Sequence, residues 1–500
     1  MKTSSGQIYS KESSVKQRKN REAVIQPKKN TMLVIVATTL DDDDFYAIEH
    51  SLPWEHHCLY IIDTATAQDL HTQKENRIID EFLSTDDLLE KVKRWHQQKK
   101  VEVVGVLGFD EEHHYRFSAA IAKHFKVSYH CQKTLDCCSN KYLQRLLLQK
   151  HQIPVPKFVL LDKSSKACPL PFPNMIKHIT GYASSYVFYN ENKKAFAQHR
   201  KRLLSQPLEK TNPLTKPHVL GKWQKQTLLS LLEQENIKQG IHPTIRSNSP
   251  VARVQQYHPT EVFLVEEYIG GTEYSCDYLI TKNGKATVLR IVKKYHTPGL
   301  HTSFDAFYLF NLQQQQPEEF SLKQLEELCT QCASALGIKQ GLCMMDFKAY
   351  QNKLYVIETT VRPGISTFVD LMQELYGWTS ITYYAKTLFG LPLPSIKQPR
   401  SGLVVYLNTP TKGYIKQFSY HQIKSLEYPI LKIVPYVQEG SYTLGSPDEI
   451  QMHELLGYVM VADVPLKKAS DVIQAIKEKV YIQIQPQQQT KKRKGSKKQT

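Results

Sequence analysis

The 500-residue sequence has no apolar run approaching the roughly 18 residues that a membrane-spanning helix needs. Its first thirty residues carry charges where a secretory signal would need an apolar stretch. We therefore expect no transmembrane segment and a cytoplasmic, reducing location. A disulfide framework is also missing: the nine cysteines are odd in number, scattered, and often beside apolar residues. Cys329 and Cys332 form a C-x-x-C, but it lies in a helical pattern without a second ligand pair, which favours core packing over zinc. No biotinyl-lysine segment is visible. The basic tails lack interleaved aromatic residues, so no specific nucleic-acid recognition is expected.

The net charge of +17 is unevenly spread. Residues 1–30 hold eight Lys/Arg against two Glu, and residues 485–500 hold six against no acid, so the tails account for twelve of the seventeen charges. We read both as disordered basic tails around a mildly basic body. A hydrophobic content of 41% is enough to bury a sizeable core, and the length suggests three or four packed units.

Apolar runs at 32–38, 58–64 and 101–107 alternate with helical stretches such as 86–98, which predicts a parallel-sheet α/β domain over 31–135. The acids Asp41 to Asp44 are read as helix-start residues rather than a metal cluster. Residues 136–400 follow as a second domain. It begins with an amphipathic helix after Ser139, then strands around 157–161, around Lys177 and after a turn at Gly181. A less regular insertion spans about 198–258, with one helix predicted at 223–233. Two long strands flank Asn283-Gly284, a strong hairpin signal. Residues 300–320 read as an exposed loop with a glutamine run, 322–336 as a helix, and 367–389 as one packed helix. A small C-terminal α/β unit is expected over 401–484.

The stretch 341–366, GLCMMDFKAYQNKLYVIETTVRPGIS, reads as two strands joined by a short turn. Asp346 and Glu358 lie one on each strand. With a three-residue loop, 351–353, position 346 falls directly opposite 358 on one face; a two-residue loop would put them on opposite faces. Two acids converging beside Arg362 suit Mg²⁺, which is commonly held by one or two carboxylates together with nucleotide phosphates. A solvated hairpin with scattered charges is the alternative.

Four segments in this order, SNKYLQRLLLQKHQIPVP, MIKHITG, VEEYIGGTEYSCDYL and DFKAYQNKLYVIETTVRPGIS, resemble the ATP-grasp superfamily, most of all its L-amino-acid ligases. The end of the chain, SYTLGSPDEIQMHELLGYVMVADVPLKKASDVIQAIKEKV, is similar to that branch too. The resemblance covers about 31–484 and implies an ATP-grasp fold: an N-terminal parallel-sheet domain, a lid subdomain at about 157–265 and a small C-terminal unit. It implies Lys141 and Lys177 on the ATP phosphates, Glu266, Glu267, Tyr268 and Ile269 as the adenine hinge, and Glu273 on the ribose. Asp346 and Glu358 match the Mg²⁺ ligands, with Thr360 where relatives usually carry Asn; Mn²⁺ would be a substitute. Arg362 matches an arginine near the reacting carboxylate, and Lys348 is added as a catalytic candidate. His296 or His301 would lie near the substrate pocket. The phosphate loop after Lys177 has a single Gly where relatives are rich in Gly and Ser.

The activity so implied is ATP-dependent ligation of a carboxylate to an amine through an acyl phosphate, with an amino acid among the small-molecule substrates and an ADP product. A homodimer is left open. The alternatives are an ATP-binding regulator or pseudoenzyme of the same fold, or an enzyme like biotin carboxylase or carbamoyl-phosphate synthetase.

Overall fold

The computed structural model describes residues 25–37, 42–63, 67, 76–82, 84–109, 115–162, 165–179, 187–204, 218–219, 256–257, 262–394, 400–409, 411–443 and 455–486. The glycine-poor phosphate loop, the expected helix at 223–233 and both basic tails lie outside the described residues, apart from residues 25–30 and 485–486.

At the N-terminal end, strands Thr31–Ala37, Cys58–Ile62, Arg77–Ile79 and Glu102–Gly108 form a parallel sheet. The first strand is buried throughout, as expected of a sheet covered on both faces. Helices Thr85–Lys99 and Tyr115–Phe125 cover one side with Leu88, Val92, Phe117 and Ile121. On the other side Leu33, Ile35 and Trp54 join a core with Leu279, Leu342, Ile381 and Tyr384 of the following domain. A helix begins at Asp42.

An antiparallel sheet follows, in which Val262–Glu267 lies between Phe158–Asp162 and Asn174–His178, and Val187–Asn190 forms the far edge. Lys177 is therefore on an inner strand and buried.

The largest sheet has eight strands in the order Lys353–Thr360, Gly341–Tyr350, Thr272–Ile280, Ala286–His296, Phe304–Leu309, Gly402–Leu407, Gly457–Ala462 and Ile430–Pro435. One face of its first half carries Tyr274, Cys276, Met345 and Phe347, which pack with Leu325, Leu328, Cys329 and Cys332 of helix Leu322–Leu336. The C-x-x-C is thus core. Strand alternation sends Glu273, Ser275, Asp277, Asp346, Lys348, Glu358 and Thr360 to the opposite face.

Four expectations need correction. The 300–320 stretch contains a buried inner strand, Phe304–Leu309, because its aromatic run fills a place between two hydrophobic strands. The glutamines are exposed or half-buried, but Gln315 accepts from Tyr308 and Gln316 from the Leu322 backbone. The predicted single helix at 367–389 is two, Thr367–Tyr376 and Ser380–Phe389. Gly377, at φ 70°, ends the first, and a Thr379–Thr382 capping box starts the second. The 401–484 stretch is not a free-standing layer, since three of its strands extend the eight-stranded sheet.

The fourth correction concerns the hairpin that carries the two acids. Its loop is the two residues Gln351 and Asn352, both at positive φ, and Tyr350 pairs with Lys353. Asp346 nevertheless pairs with Glu358, because a β-bulge at Ile357 adds the residue that the shorter loop lacks.

Candidate active site

Helix Lys141–Lys150 lies against the edge strand Lys353–Thr360 and binds the backbone groups that an edge would leave open. Gln144 donates to the Thr359 carbonyl at 2.8 Å and accepts from the Thr359 N–H at 3.0 Å. Arg145 Nη2 donates to the carbonyl of the bulged Ile357. The bulge that aligns the acids is therefore held from outside the sheet by a fully buried guanidinium. Asn140 caps this helix, accepting from the Leu143 N–H at 3.0 Å, and so fixes where Lys141 emerges.

Two charge networks meet on the polar face. In the first, Glu266 is nearly sealed from solvent and both its oxygens are taken: Arg145 Nε reaches Oε1 at 2.6 Å, and Lys177 pairs with Oε2. Burial alone would raise the Glu266 carboxyl, but these cations hold it below the ordinary glutamate value. Burial pushes Lys177 below an ordinary lysine although Glu266 opposes this. Lys141 Nζ lies 2.7 Å from Glu358 Oε1. Against the effect of burial it keeps Glu358 low, aided by Lys177 and Arg145.

In the second network, Lys294 Nζ bridges Glu273 Oε1 at 3.0 Å and Asp346 Oδ2 at 2.9 Å. Burial would lower Lys294, but Asp346 and Glu273 together raise it above the usual lysine range. His296 Nε2 is 3.2 Å and Lys348 Nζ 3.9 Å from Glu273 Oε2. Burial favours protonation of Glu273, yet Lys294, His296 and Lys348 hold its carboxyl far below the usual range. Asp346 Oδ1 is buried and makes no hydrogen bond. That leaves a hard oxygen with open lone pairs beside Glu358, suited to Mg²⁺. Among the described residues no cluster of three or more potential metal ligands occurs, so this carboxylate pair would share the ion with phosphate oxygens.

The hinge residues surround these networks. Glu267 Oε1 accepts from the Lys157 N–H at 2.8 Å, so its side chain is committed to the neighbouring strand. Tyr268 N–H donates to the Pro173 carbonyl at 3.2 Å. The Ile269 carbonyl accepts from Lys348 Nζ at 3.1 Å, and that ammonium also lies 4.6 Å from the centre of the Tyr268 ring. Burial lowers Lys348, with Glu273 opposing it. Tyr268 Oη lies 3.1 Å from His301 Nδ1, and Tyr189 packs on the His301 ring at 3.8 Å, so His301 joins Tyr268 to the edge strand Val187–Asn190 of the four-stranded antiparallel sheet. Gly271 is required at the bend: its φ is +79°, and a Cβ there would come 2.1 Å from the Ala349 carbonyl.

Thr360 donates its hydroxyl to the Arg362 carbonyl at 3.2 Å. The Arg362 side chain is half-buried and donates to the Pro363 carbonyl at 3.2 Å. The loop after it is anchored by Asp277, which accepts from the Gly364 N–H at 2.8 Å and Ser380 Oγ at 2.7 Å while paired with the buried Arg290. The structure thus brings together Lys141, Lys177, Glu266, Glu273, Lys348, Asp346 and Glu358, and leaves the Glu267 side chain turned to the Lys157 N–H.

The family model described as the ATP-grasp domain matches residues 233–366. Over that stretch the chain is similar to the ATP-grasp domain family. Three solved structures share the fold. The L-amino acid ligase of Bacillus licheniformis is 16% identical with a TM-score of 0.65, over 92% of this chain and 100% of that one. The N5-carboxyaminoimidazole ribonucleotide synthetase of Thermotoga maritima is 16% identical at 0.54, over 91% and 100%. The biotin carboxylase domain of the 2-oxoglutarate carboxylase from Hydrogenobacter thermophilus, solved with MgADP, ADP and bicarbonate, is 13% identical at 0.53, over 90% of each chain. Comparison of the sequence with curated proteins gave no match. Among the described residues no helix is long and apolar enough to cross a membrane.

Two residues of this site were missed from sequence. Arg145 lies four residues after Lys141, one helical turn along the same face, and that spacing was the available signal. Lys294 was visible as one of two adjacent lysines in a strand, of which alternation turns one toward the acids.

Proposed function

We propose that the protein is an ATP-dependent carboxylate–amine ligase that forms an amide or peptide bond through an acyl phosphate, with an amino acid among its substrates. The observation that carries this reading is the cross-strand pair Asp346 and Glu358, each bound to a lysine through one oxygen, with Asp346 Oδ1 buried and free of hydrogen bonds. The ATP-grasp domain and the L-amino acid ligase likeness support the same class.

In this reading Asp346 and Glu358 would hold Mg²⁺, with Thr360 beside them, and the bound ion would supply charge neutralisation for the phosphate oxygens. Mn²⁺ would serve in its place. Lys141 and Lys177 reach the phosphates, exchanging part of their hold on Glu358 and Glu266 for the nucleotide. Glu266, Glu267, Tyr268 and Ile269 border the adenine, the Glu267 contribution coming from its backbone, and Glu273 faces the ribose. Lys348 positions the Ile269 carbonyl from below. The substrate carboxylate attacks the terminal phosphorus, ADP leaves, and the acyl phosphate forms; the amine then attacks the acyl carbon and expels phosphate. Arg362 swings from the Pro363 carbonyl to stabilise the charge that develops. The lid at about 157–265 excludes water, which would hydrolyse the acyl phosphate.

ADP release from Mg²⁺-ATP over a panel of amino acids, amines and bicarbonate tests the proposal. Amino-acid-dependent ADP and a condensed product are expected, and Glu358→Ala should abolish both with the fold intact. No ADP above background would refute the ligase. Thr360 favours a second reading, an ATP-binding regulator, because its hydroxyl serves the Arg362 carbonyl. Calorimetric ATP binding without turnover on any substrate would select it.

A further inference from the structure

We propose that the three-stranded sheet built on strand Gly413–Ser419, together with the basic sequence that follows Pro486, binds single-stranded nucleic acid without regard to base sequence. This surface belongs to a different sheet from the acid pair and does not rest on the ligase reading.

Strand Gly413–Ser419 lies between Tyr442–Thr443 and Tyr481–Pro486, antiparallel to both. Its inner face is apolar: Ile415 is buried in the main core, and Phe418 and Ile482 pack against that core. Alternation turns the other set of side chains outward. Tyr442, Tyr414 and Gln485 make one cross-strand row, Gln417 and Gln483 the next, and Ser419 and Tyr481 the last. Tyr414 is 50% exposed, Tyr481 52% and Tyr442 38%. The rings of Tyr414 and Tyr442 meet edge to face at 4.9 Å. Tyr481 stands at the other end of the face, four strand residues or roughly 13 Å from Gln485.

An outer face of tyrosines and glutamines suits nucleic-acid bases. The rings offer stacking surface to any base, and the amides offer donors and acceptors to base edges. Bases in a duplex are already stacked on one another, so the partner is single-stranded. A bilayer would be met by exposed Trp, Phe or Leu, and the rows above contain none.

Phosphates need cations, and the chain path brings them to this face. Pro486 pairs with Gly413, the residue before Tyr414. Five residues on, the sequence runs Lys491, Lys492, Arg493, Lys494 and then Lys497, Lys498, with no acid after Pro486. Five residues span at most roughly 18 Å, so these cations begin within reach of the tyrosines. On the folded body, exposed Lys412 and Lys416 flank the face, against Glu439 in the turn before Tyr442 and Glu478 before Tyr481. The aromatic residues that the basic tail itself lacks are thus supplied by the sheet it leaves.

Fluorescein-labelled oligouridine and oligothymidine of about 20 nucleotides, titrated with the full chain and read by fluorescence anisotropy, test this. Saturable binding is expected, the tighter of the two naming RNA or DNA, with a duplex of equal length bound at least about tenfold more weakly. Tyr414→Thr combined with Tyr481→Thr keeps β propensity and should weaken single-strand binding by about 10- to 100-fold. The matching pair of Tyr→Phe changes should stay within about threefold of wild type, because stacking needs the ring and not the hydroxyl. Tyr481→Thr alone serves if the double variant does not fold, with a loss on the order of tenfold. Deleting 487–500 should flatten the fall of log affinity with log salt by about 0.7 for each phosphate contact removed. Deleting 1–24, which carries the same number of Lys/Arg, six, with two Glu, should change affinity by less than about threefold. No binding by the wild type, equal binding of duplex, threonine variants that bind like wild type, or a 1–24 deletion as harmful as that of 487–500 would each overturn the proposal. So would sedimentation with phosphatidylserine vesicles that depends on the tyrosines in a protein that leaves both oligonucleotides unbound, which would make the face a membrane contact.

Discussion

Glu266 and Asp346 are both acids on strands facing the same cleft, and both are gripped by lysine, but they are finished differently. Glu266 has a cation on each oxygen and is nearly sealed from solvent. Asp346 has one oxygen on Lys294 and the other buried with nothing bound. A buried carboxylate with complete partners is part of the framework, because removing either partner strands a charge. A carboxylate with an open oxygen carries a cost that only a ligand removes. Residue type and burial look alike in the two cases, and the hydrogen-bond inventory separates them.

The largest effect should come from breaking the closed side. Arg145→Met leaves Glu266 with Lys177 alone and takes the donor from the Ile357 carbonyl at the bulge. Breaking a buried pair of this kind costs about 3–5 kcal/mol, to be read from urea unfolding. A loss below about 1 kcal/mol would mean that Glu266 is not the structural member of the comparison.

The open side should respond in function and not in stability. Asp346→Asn keeps the shape of the side chain, and Lys294 retains Glu273. Turnover should fall by on the order of 100- to 1000-fold, while the unfolding free energy moves by less than about 1 kcal/mol. Equal damage to both quantities would erase the distinction between the two acids.

Acid adds a sharper test. Glu266 and Glu358 are both held below the ordinary glutamate value of 4.5, since nearby cations outweigh burial. A carboxyl depressed in the folded state contributes stability that is complete above pH 4.5 and is lost as the pH falls through the folded values. Wild-type stability should therefore decline below that point. In Arg145→Met the main cation lowering Glu266 is gone, so protonating Glu266 relieves the variant and its deficit against wild type narrows on acidification. A deficit that widens toward low pH would contradict the assignment.

How much of this was readable beforehand follows from where each residue's signal lies. Asp346 and Glu358 stand out as acids within two apolar strand runs, Lys141, Lys177, Glu266 and Glu273 were marked by the resemblance alone, and the structure gathers all six. The pairing of Asp346 with Glu358 was expected from a three-residue loop and is reached by a two-residue loop plus a bulge. A bulge depends on what holds the extra residue, here Arg145 from 212 positions away, and no local pattern encodes that. Lys294 was passed over for a similar reason, because its two acids come from two other strands. The break at Gly377 was more local: a glycine followed two residues later by a capping threonine marks an end and a start. Strand Phe304–Leu309 was hidden by the glutamine run after it, whose polarity said nothing about the six residues before.

The smallest expected effect concerns the acid next door. Glu267 differs from Glu266 by one position, which on a strand turns it to the other face, and its carboxylate accepts from the Lys157 N–H at 2.8 Å in an exposed setting. Water can replace that bond, so Glu267→Ala should cost only about 0.5–1.5 kcal/mol. If the hinge meets adenine through its backbone, calorimetric ATP affinity should stay within about threefold of wild type, since less than 1 kcal/mol separates the two. A tenfold loss of affinity with stability unchanged would move the Glu267 side chain from the lid's framework into the nucleotide site.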